Sequence, residues 1–209
     1  MRTIIKFLAV FVLLLGTFSP PSGASAAAEV FHFKGRSATA FFNNTDASGC
    51  FATSATVGAG EELQHRPPGK GSPYGVAFAL VSLFNICTDT RVVNAYGTVP
   101  LSQSALKIAG NLDGAHLTAT VPVFDNISGT WFDVDIDLTW TATDELRLEK
   151  LHDAVNIDGC HFNAHSHTAS RRAQASGTVS NGTINFTPAP SISAIVFSWK
   201  GGEVSHGCD

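Results

Sequence analysis

Residues 131–141 read WFDVDIDLTWT, an uninterrupted alternation of apolar and polar side chains. Apolar residues occupy the even positions 132–140, and polar residues occupy the odd positions 133–141. Because side chains point alternately to the two faces of a β-strand, this pattern predicts a strand with one buried and one exposed face. Similar alternation recurs along the chain and no long helical periodicity competes with it, so the sequence predicts an all-β fold.

Further strands are predicted on both sides of this segment. The first lies near residues 31–41, and turn residues such as Asp113-Gly114 separate later strands. About ten or eleven short strands with frequent turns indicate an antiparallel β-sandwich or a jelly-roll-like fold. Two longer connections interrupt the pattern. Residues 58–75 are expected to form a Gly/Pro-rich loop, and residues 144–152 an irregular loop or a short helix.

Residues 1–28 have the organisation of a secretory signal peptide. Arg2 and Lys6 precede an apolar stretch, and small residues follow that stretch near the expected cleavage site at 26–28. The apolar stretch is shorter than the roughly 20 residues of a membrane-spanning helix. The sequence therefore predicts that residues 29–209 form a single secreted β-rich domain with no membrane span.

The charge composition excludes one class of partner. The chain has 209 residues, 13 Lys and Arg, 17 Asp and Glu, and a formal charge of −4. Removing Arg2 and Lys6 with the leader leaves 11 cations against 17 acids, a net charge of −6. Proteins that bind nucleic acid through phosphate contacts carry the opposite balance, so no nucleic-acid partner is expected.

Four widely spaced cysteines predict two disulfides in an oxidising compartment. Their positions are Cys50, Cys87, Cys160 and Cys208, and the sequence alone permits three pairings. Cys50 opens one predicted strand and Cys87 closes the next, so an antiparallel pair would place both at the same end of the sheet. This favours Cys50–Cys87, which leaves Cys160–Cys208.

A second cluster of chemistry-bearing residues lies in residues 160–167, CHFNAHSH. On a strand, His161, His165 and His167 share one face. Two such imidazoles can bind one divalent metal, with Asp135 or Asp137 as a third ligand if the two strands pair. The same pattern also fits an ordinary exposed pair of strands with opposite charges, or a pH sensor in which protonated histidines attract the aspartates.

The long loop predicted at residues 58–75 is a second candidate for ligand binding. Its side chains His65, Arg66, Lys70 and Tyr74 would suit an anionic or sugar ligand. A Gly/Pro-rich loop with no binding role is the alternative.

The sequence predicts no catalytic residue, because it contains neither a nucleophile elbow, nor a His-Glu-x-x-His motif, nor a phosphate-binding loop. Asp133, Asp135 and Asp137 would be spaced by about 6.5–7 Å, near the carboxylate separation of inverting glycosidases. An exposed row of aspartates is the commoner arrangement. No cofactor is expected beyond a possible divalent metal.

Four short segments carry a resemblance: SGC at 48–50, FNICTDT at 84–90, VPVFD at 121–125 and ASGTV at 175–179. In these segments the chain resembles a group of secreted bacterial β-rich proteins with no known activity. The resemblance implies one secreted β-rich domain, and it implies no ligand and no catalytic residue.

These observations predict a secreted, non-enzymatic binding module or structural protein, with an extracellular glycan or protein as its partner. Exposure of Trp131, Tyr74 and Tyr96 would favour stacking on sugars, whereas their burial would favour a purely structural role. A metal-binding protein centred on His165 and His167 is the alternative. A hydrolase that uses the aspartate row is a weaker one.

Overall fold

The computed structural model describes residues 29–65, 73–101, 105–157, 160–181, 185–186 and 190–206. Within these ranges no helical segment has the length and hydropathy needed to cross a bilayer. The described residues form eleven strands: β1 (Glu29–Thr45), β2 (Phe51–His65), β3 (Pro73–Asn85), β4 (Thr90–Pro100), β5 (Leu106–Ile108), β6 (Gly114–Asp125), β7 (Thr130–Ala142), β8 (Arg147–Ile157), β9 (Cys160–Ser180), β10 (Asn185–Phe186) and β11 (Ser193–His206).

The strands form one antiparallel sheet that closes on itself. Eight strands pair successively in the order β1, β2, β3, β4, β6, β7, β9 and β11, and β11 pairs back with β1. The short strands β5 and β10 pair with β6 and β9. The predicted all-β antiparallel class is confirmed. The two separate sheets of a sandwich are not, because every described strand pair belongs to this one sheet.

Strand β9 has room for several partners because it is 21 residues long. Its first half lies between β8 and β11, and its second half pairs with β7. The closed part of the sheet therefore continues into an extension built from the outer ends of β1, β2, β9 and β11 together with β8.

Two predicted connections are strands in the structure. Residues 58–65 belong to β2, so only residues 66–72 of the expected loop remain, and they lie outside the described residues. Residues 147–157 form β8 instead of a loop or helix. Side chains on both faces of β8 are exposed, including Leu148 and Leu151. The strand therefore lacks the apolar alternation that would have marked it, and pairing with β9 stabilises it.

The core lies inside the closed part of the sheet. Strands β1 to β4 contribute mostly small side chains, which leaves space for the large side chains of β6 and β7. This complementarity of volume lets the two sets of side chains fill the interior together. The small residues are Ala38, Ala40, Ala55, Ala59, Ala77, Ala79 and Ala95; the large ones are Leu117, Val121, Val123, Val134, Ile136, Leu138 and Trp140.

In β1, the even-numbered side chains face the core. Ala38, Ala40 and Phe42 are buried, so Phe31 and Phe33 lie on the opposite face of the sheet. There the rings of Phe31 and Phe33 pack with their centroids 5.9 Å apart. Because residues at even positions of β1 share one face, His32 and Lys34 lie on the same face as the core side chains, beyond the edge of the core.

The disulfide Cys50–Cys87 is confirmed, with a Cα–Cα distance of 5.1 Å. It joins the start of β2 to the turn after β3, as the antiparallel argument predicted. The other predicted pair, Cys160–Cys208, cannot be compared with the structure because Cys208 lies outside the described residues.

Candidate functional site

The histidines of β9 lie on one face of the sheet, next to β8 and β11. His161, His165 and His167 share that face of β9, with β8 on one side of them and β11 on the other. The segment does not pair with β7. Instead, β8 occupies the edge of β9 at which the sequence analysis placed the aspartates.

Asp135 and Asp137 are therefore remote from these histidines. They pair with Ser180 and Thr178 in the second half of β9. Thr178 is eleven residues beyond His167, about 36 Å along a strand. The hypothesis that an aspartate of β7 supplies a third metal ligand, and the pH sensor built on the same contact, are not supported by this pairing. Among the described residues, no group of three His, Cys, Asp or Glu side chains is arranged to hold a metal ion.

Both aspartates have other partners on the outer face of the sheet. Thr120 Oγ1 donates a hydrogen bond of 2.7 Å to Asp135 Oδ1. The Nε2 atom of His116 lies 3.2 Å from Asp137 Oδ1. Together with Thr118 and Thr178, these aspartates line a shallow, open depression.

Histidines that are far apart in sequence meet on the extension. His32 of β1 and His165 of β9 both flank Gly202 of β11, and His152 of β8 is paired with His165. A Cβ atom at Gly202 would lie 2.9 Å from His32 Nδ1 and 3.1 Å from His165 Cε1. Since glycine has no side chain, the two imidazoles approach each other above its backbone.

We call this surface the histidine face. It contains five histidines and three lysines whose side chains the structure describes, and the sequence analysis brought together only the histidines of β9. The members are His32, Lys34, Lys150, His152, His161, His165, His167 and Lys200.

The predicted binding loop is only partly described. Tyr74 is 62% exposed at the start of β3, and His65 ends β2. Arg66 and Lys70 lie outside the described residues. The loop site remains a prediction.

The outer face of the closed sheet carries a row of three aromatic side chains, of which two are exposed and Phe124 is half-buried. Phe124 of β6 is paired with Tyr96 of β4 on one side and with Trp131 of β7 on the other. Trp131 is 67% exposed and Tyr96 is 48% exposed. The ring centroids of Phe124 and Trp131 are 5.3 Å apart. Tyr96, Phe124 and Trp131 are called the aromatic row.

A close approach of two strands assembles the aromatic row. Strands β4 and β6 pair through only two residue pairs, one of which is Tyr96 with Phe124. A Cβ atom at Gly97 would lie 1.8 Å from the carbonyl oxygen of Pro122. Only glycine at this position lets β4 lie against β6, and this contact places Tyr96 next to Phe124.

The carboxylate of Asp125 anchors the turn beside the aromatic row. Its side chain is 3% exposed. Asp125 Oδ1 accepts hydrogen bonds from the backbone N–H groups of Asn94 (2.9 Å) and Ile127 (3.1 Å), and Oδ2 accepts from Ser128 N and Oγ. Burial raises the pKa of this carboxyl, but the hydrogen bonds outweigh burial and lower the pKa from 3.8 to about 2. The ionised side chain thus ties β4 to the turn between β6 and β7.

This lowered pKa makes the stability depend on pH in the acid range. The ionised Asp125 stabilises the fold fully above about pH 4, and its contribution is lost as the pH falls toward 2. The loss amounts to about 2 kcal/mol. Urea unfolding of the wild type and of Asp125→Asn between pH 2 and 5 measures it, since the variant lacks this titration. Asp89→Asn, at an exposed turn position, is the control. If the free energy of unfolding changes with pH equally in the wild type and in Asp125→Asn, the assignment of this titration to Asp125 is wrong.

Comparison with protein-family models, with curated proteins and with solved structures gives no match to this chain.

Proposed function

We propose that the protein is an extracellular, non-enzymatic glycan-binding module, and that the aromatic row is its binding surface. The observation that carries the proposal is the exposure of Trp131 and Tyr96 on either side of Phe124. A large aromatic side chain that stays in contact with water is not stabilised by burial. Two such side chains on either side of a third aromatic ring form an apolar patch of the kind that marks interaction sites.

The chemistry of the surrounding surface supports a sugar more than an apolar ligand. A sugar ring has an apolar C–H face, which packs on an aromatic ring, and hydroxyl groups at its rim. Asp133 follows Trp131 on the same exposed face of β7, and Asp135 with Thr120 lies one position further along. Carboxylate and hydroxyl groups placed beside aromatic rings can bind the hydroxyls of a sugar while the ring stacks.

The direction of the site follows from the strand register. The aromatic row runs across β4, β6 and β7, and the depression lined by Thr118, Asp135 and Asp137 lies further along β6 and β7. An extended oligosaccharide would stack on Trp131 and continue toward this depression. We therefore propose a polysaccharide chain, and not a single sugar, as the ligand.

Affinity measurements with neutral soluble polysaccharides, such as a β-glucan, a xylan and a mannan, test the proposal. We expect at least one to bind, and we expect Trp131→Ala to weaken its binding at least about tenfold, as for a stacked residue at the centre of an interface. Tyr96→Ala is expected to weaken it by a smaller factor, because Tyr96 is less exposed.

Tyr74→Ala is the matched control, since Tyr74 is equally exposed but lies at the far end of β3. We expect this variant to bind like the wild type. If Tyr74→Ala loses binding while Trp131→Ala retains it, the aromatic row is not the site, and the loop after His65 becomes the better candidate. If none of the three polysaccharides binds the wild type, the proposal is wrong.

The alternatives from the sequence remain predictions. A metal-binding role for His161, His165 and His167 would now have to rely on other histidines of the histidine face, because Asp135 and Asp137 are remote. A hydrolase that uses the aspartate row would need two of Asp133, Asp135 and Asp137, and Asp135 and Asp137 already interact with Thr120 and His116. Neither has an observation in its favour comparable to the exposed aromatic row.

A further inference from the structure

The charges of the extension are segregated between its two faces. Glu149, Asp153 and Glu203 alternate with the residues of the histidine face, so they lie on the opposite side of the sheet. On the histidine face itself, the described strands carry one acid, Glu61, which accepts a hydrogen bond of 3.0 Å from Arg36 Nε. A protein with a net negative charge thus has one strongly cationic surface.

Three lysines and one histidine of this surface form a row across four adjacent strands. Lys34 of β1 is paired with Lys200 of β11, which is paired with His167 of β9, and His167 is paired with Lys150 of β8. Neighbouring strands are about 4.8 Å apart, so the row spans about 14 Å. All three lysines are exposed, and among the described residues none forms a salt bridge.

The histidines form a second row beside the first, one pleat further from the core. It runs from His32 through Gly202 and His165 to His152. His32, His152 and His165 are exposed, and His165, His167 and Lys200 line a shallow depression between the two rows. Protonation of these imidazoles would turn one cationic row into two.

We propose that the histidine face binds an anionic polysaccharide, such as a polyuronate, and that binding strengthens in mildly acidic solution. The three lysines lie one or two strand spacings apart, and the strand spacing of about 4.8 Å is similar to the length of one sugar ring in an extended chain, so they fit a linear polymer with one negative charge on each sugar. The depression beside them is open, which suits a polymer laid across the strands. This site is independent of the aromatic row.

The pH dependence arises because a bound polyanion favours the protonated form of the neighbouring imidazoles. By linkage, binding then takes up protons and becomes tighter in acid. Among the side chains that the structure describes, the charged and titratable groups that face His32 and His165 from the packed strands are Lys34, Arg36 with Glu61, Lys200, His167, His152 and Lys150.

Binding of polygalacturonate to the full protein, measured at pH 7.5 and 5.5, tests the proposal. Its methyl-esterified form is the matched probe, since it has the same sugar backbone without the charges. We expect binding to the acid form only, with an affinity about tenfold higher at pH 5.5 than at pH 7.5. Equal binding of the esterified form, an affinity independent of pH, or a requirement for added zinc would overturn the proposal.

Two double variants separate the two rows. Lys34→Gln/Lys200→Gln is expected to weaken binding about tenfold at both pH values. His32→Gln/His165→Gln is expected to keep the affinity at pH 7.5 and to lose most of the gain at pH 5.5. If the histidine variant gains affinity in acid as the wild type does, the histidines have no part in the binding.

Lys107→Gln/Arg91→Gln is the control for charge alone, because it removes two exposed cations on β5 and β4, outside the histidine face. It is expected to bind as the wild type does; an equal loss in this control would overturn the site. Trp131→Ala is expected to retain polygalacturonate binding, which distinguishes this site from the aromatic row. Tighter binding of duplex DNA than of polygalacturonate would show that the partner is not a polysaccharide.

Discussion

Replacing Trp140 with alanine is expected to lower the free energy of unfolding by about 3–5 kcal/mol. The side chain is 1% exposed and is the largest among the fully buried residues. Its Nε1 atom also donates a hydrogen bond of 3.1 Å to the carbonyl oxygen of Thr39, so it connects β7 to β1 across the interior. A loss of this size is a large share of the stability of an ordinary domain, and urea unfolding measures it.

Trp131→Ala provides a matched control for this prediction. The substitution and the strand are the same, but Trp131 is 67% exposed, so we expect a loss below about 1 kcal/mol. Trp140→Phe keeps most of the packing and removes the hydrogen bond to Thr39, and an intermediate loss is expected. Equal losses for Trp140→Ala and Trp131→Ala would show that the interior of the sheet is not the core described above.

Removing the disulfide Cys50–Cys87 is expected to lower the free energy of unfolding by about 3–4 kcal/mol. The bond closes a loop with a sequence separation of 37 residues, and a crosslink of this span restricts the unfolded chain by about that amount. The double variant Cys50→Ala/Cys87→Ala is the appropriate change, because a reductant would also act on Cys160 and Cys208. Urea unfolding under oxidising conditions measures the effect.

Binding provides a second measurement for the disulfide variant. The bond lies at the end of β2 and β3 that is remote from the histidine face, so the folded variant should bind polygalacturonate as the wild type does. A loss of less than about 1 kcal/mol in stability would contradict the prediction, because it would mean that the loop is already restricted in the unfolded chain.

Strand β7 could be predicted from the sequence, whereas β8 could not. Every second residue of β7 from Val134 to Trp140 is buried, so the alternation of apolar and polar residues in its sequence follows the burial of its side chains. Strand β8 has exposed side chains on both faces, and only its hydrogen bonds to β9 make it a strand. Sequence patterns report burial, so a strand without a buried face has no such signal.

The candidate sites were predictable to different degrees. Trp131 and Tyr96 could be singled out as possible stacking residues, but their position on either side of Phe124 depends on the contact that Gly97 permits between β4 and β6. The β9 histidines share one face of the strand, but β8 and not β7 lies beside them. Nothing in the local pattern indicates which strand lies next to β9.

By itself, the sequence determined that the chain is made of strands and which residues share a face within each strand. It also favoured a bond between Cys50 and Cys87, because the two strands they bound are consecutive. Only the tertiary structure decided that the sheet closes, that the even positions of β1 face inward, and that His32 lies beside His165. Alternation is a property of one strand, whereas these contacts depend on the register between strands that are distant in the chain.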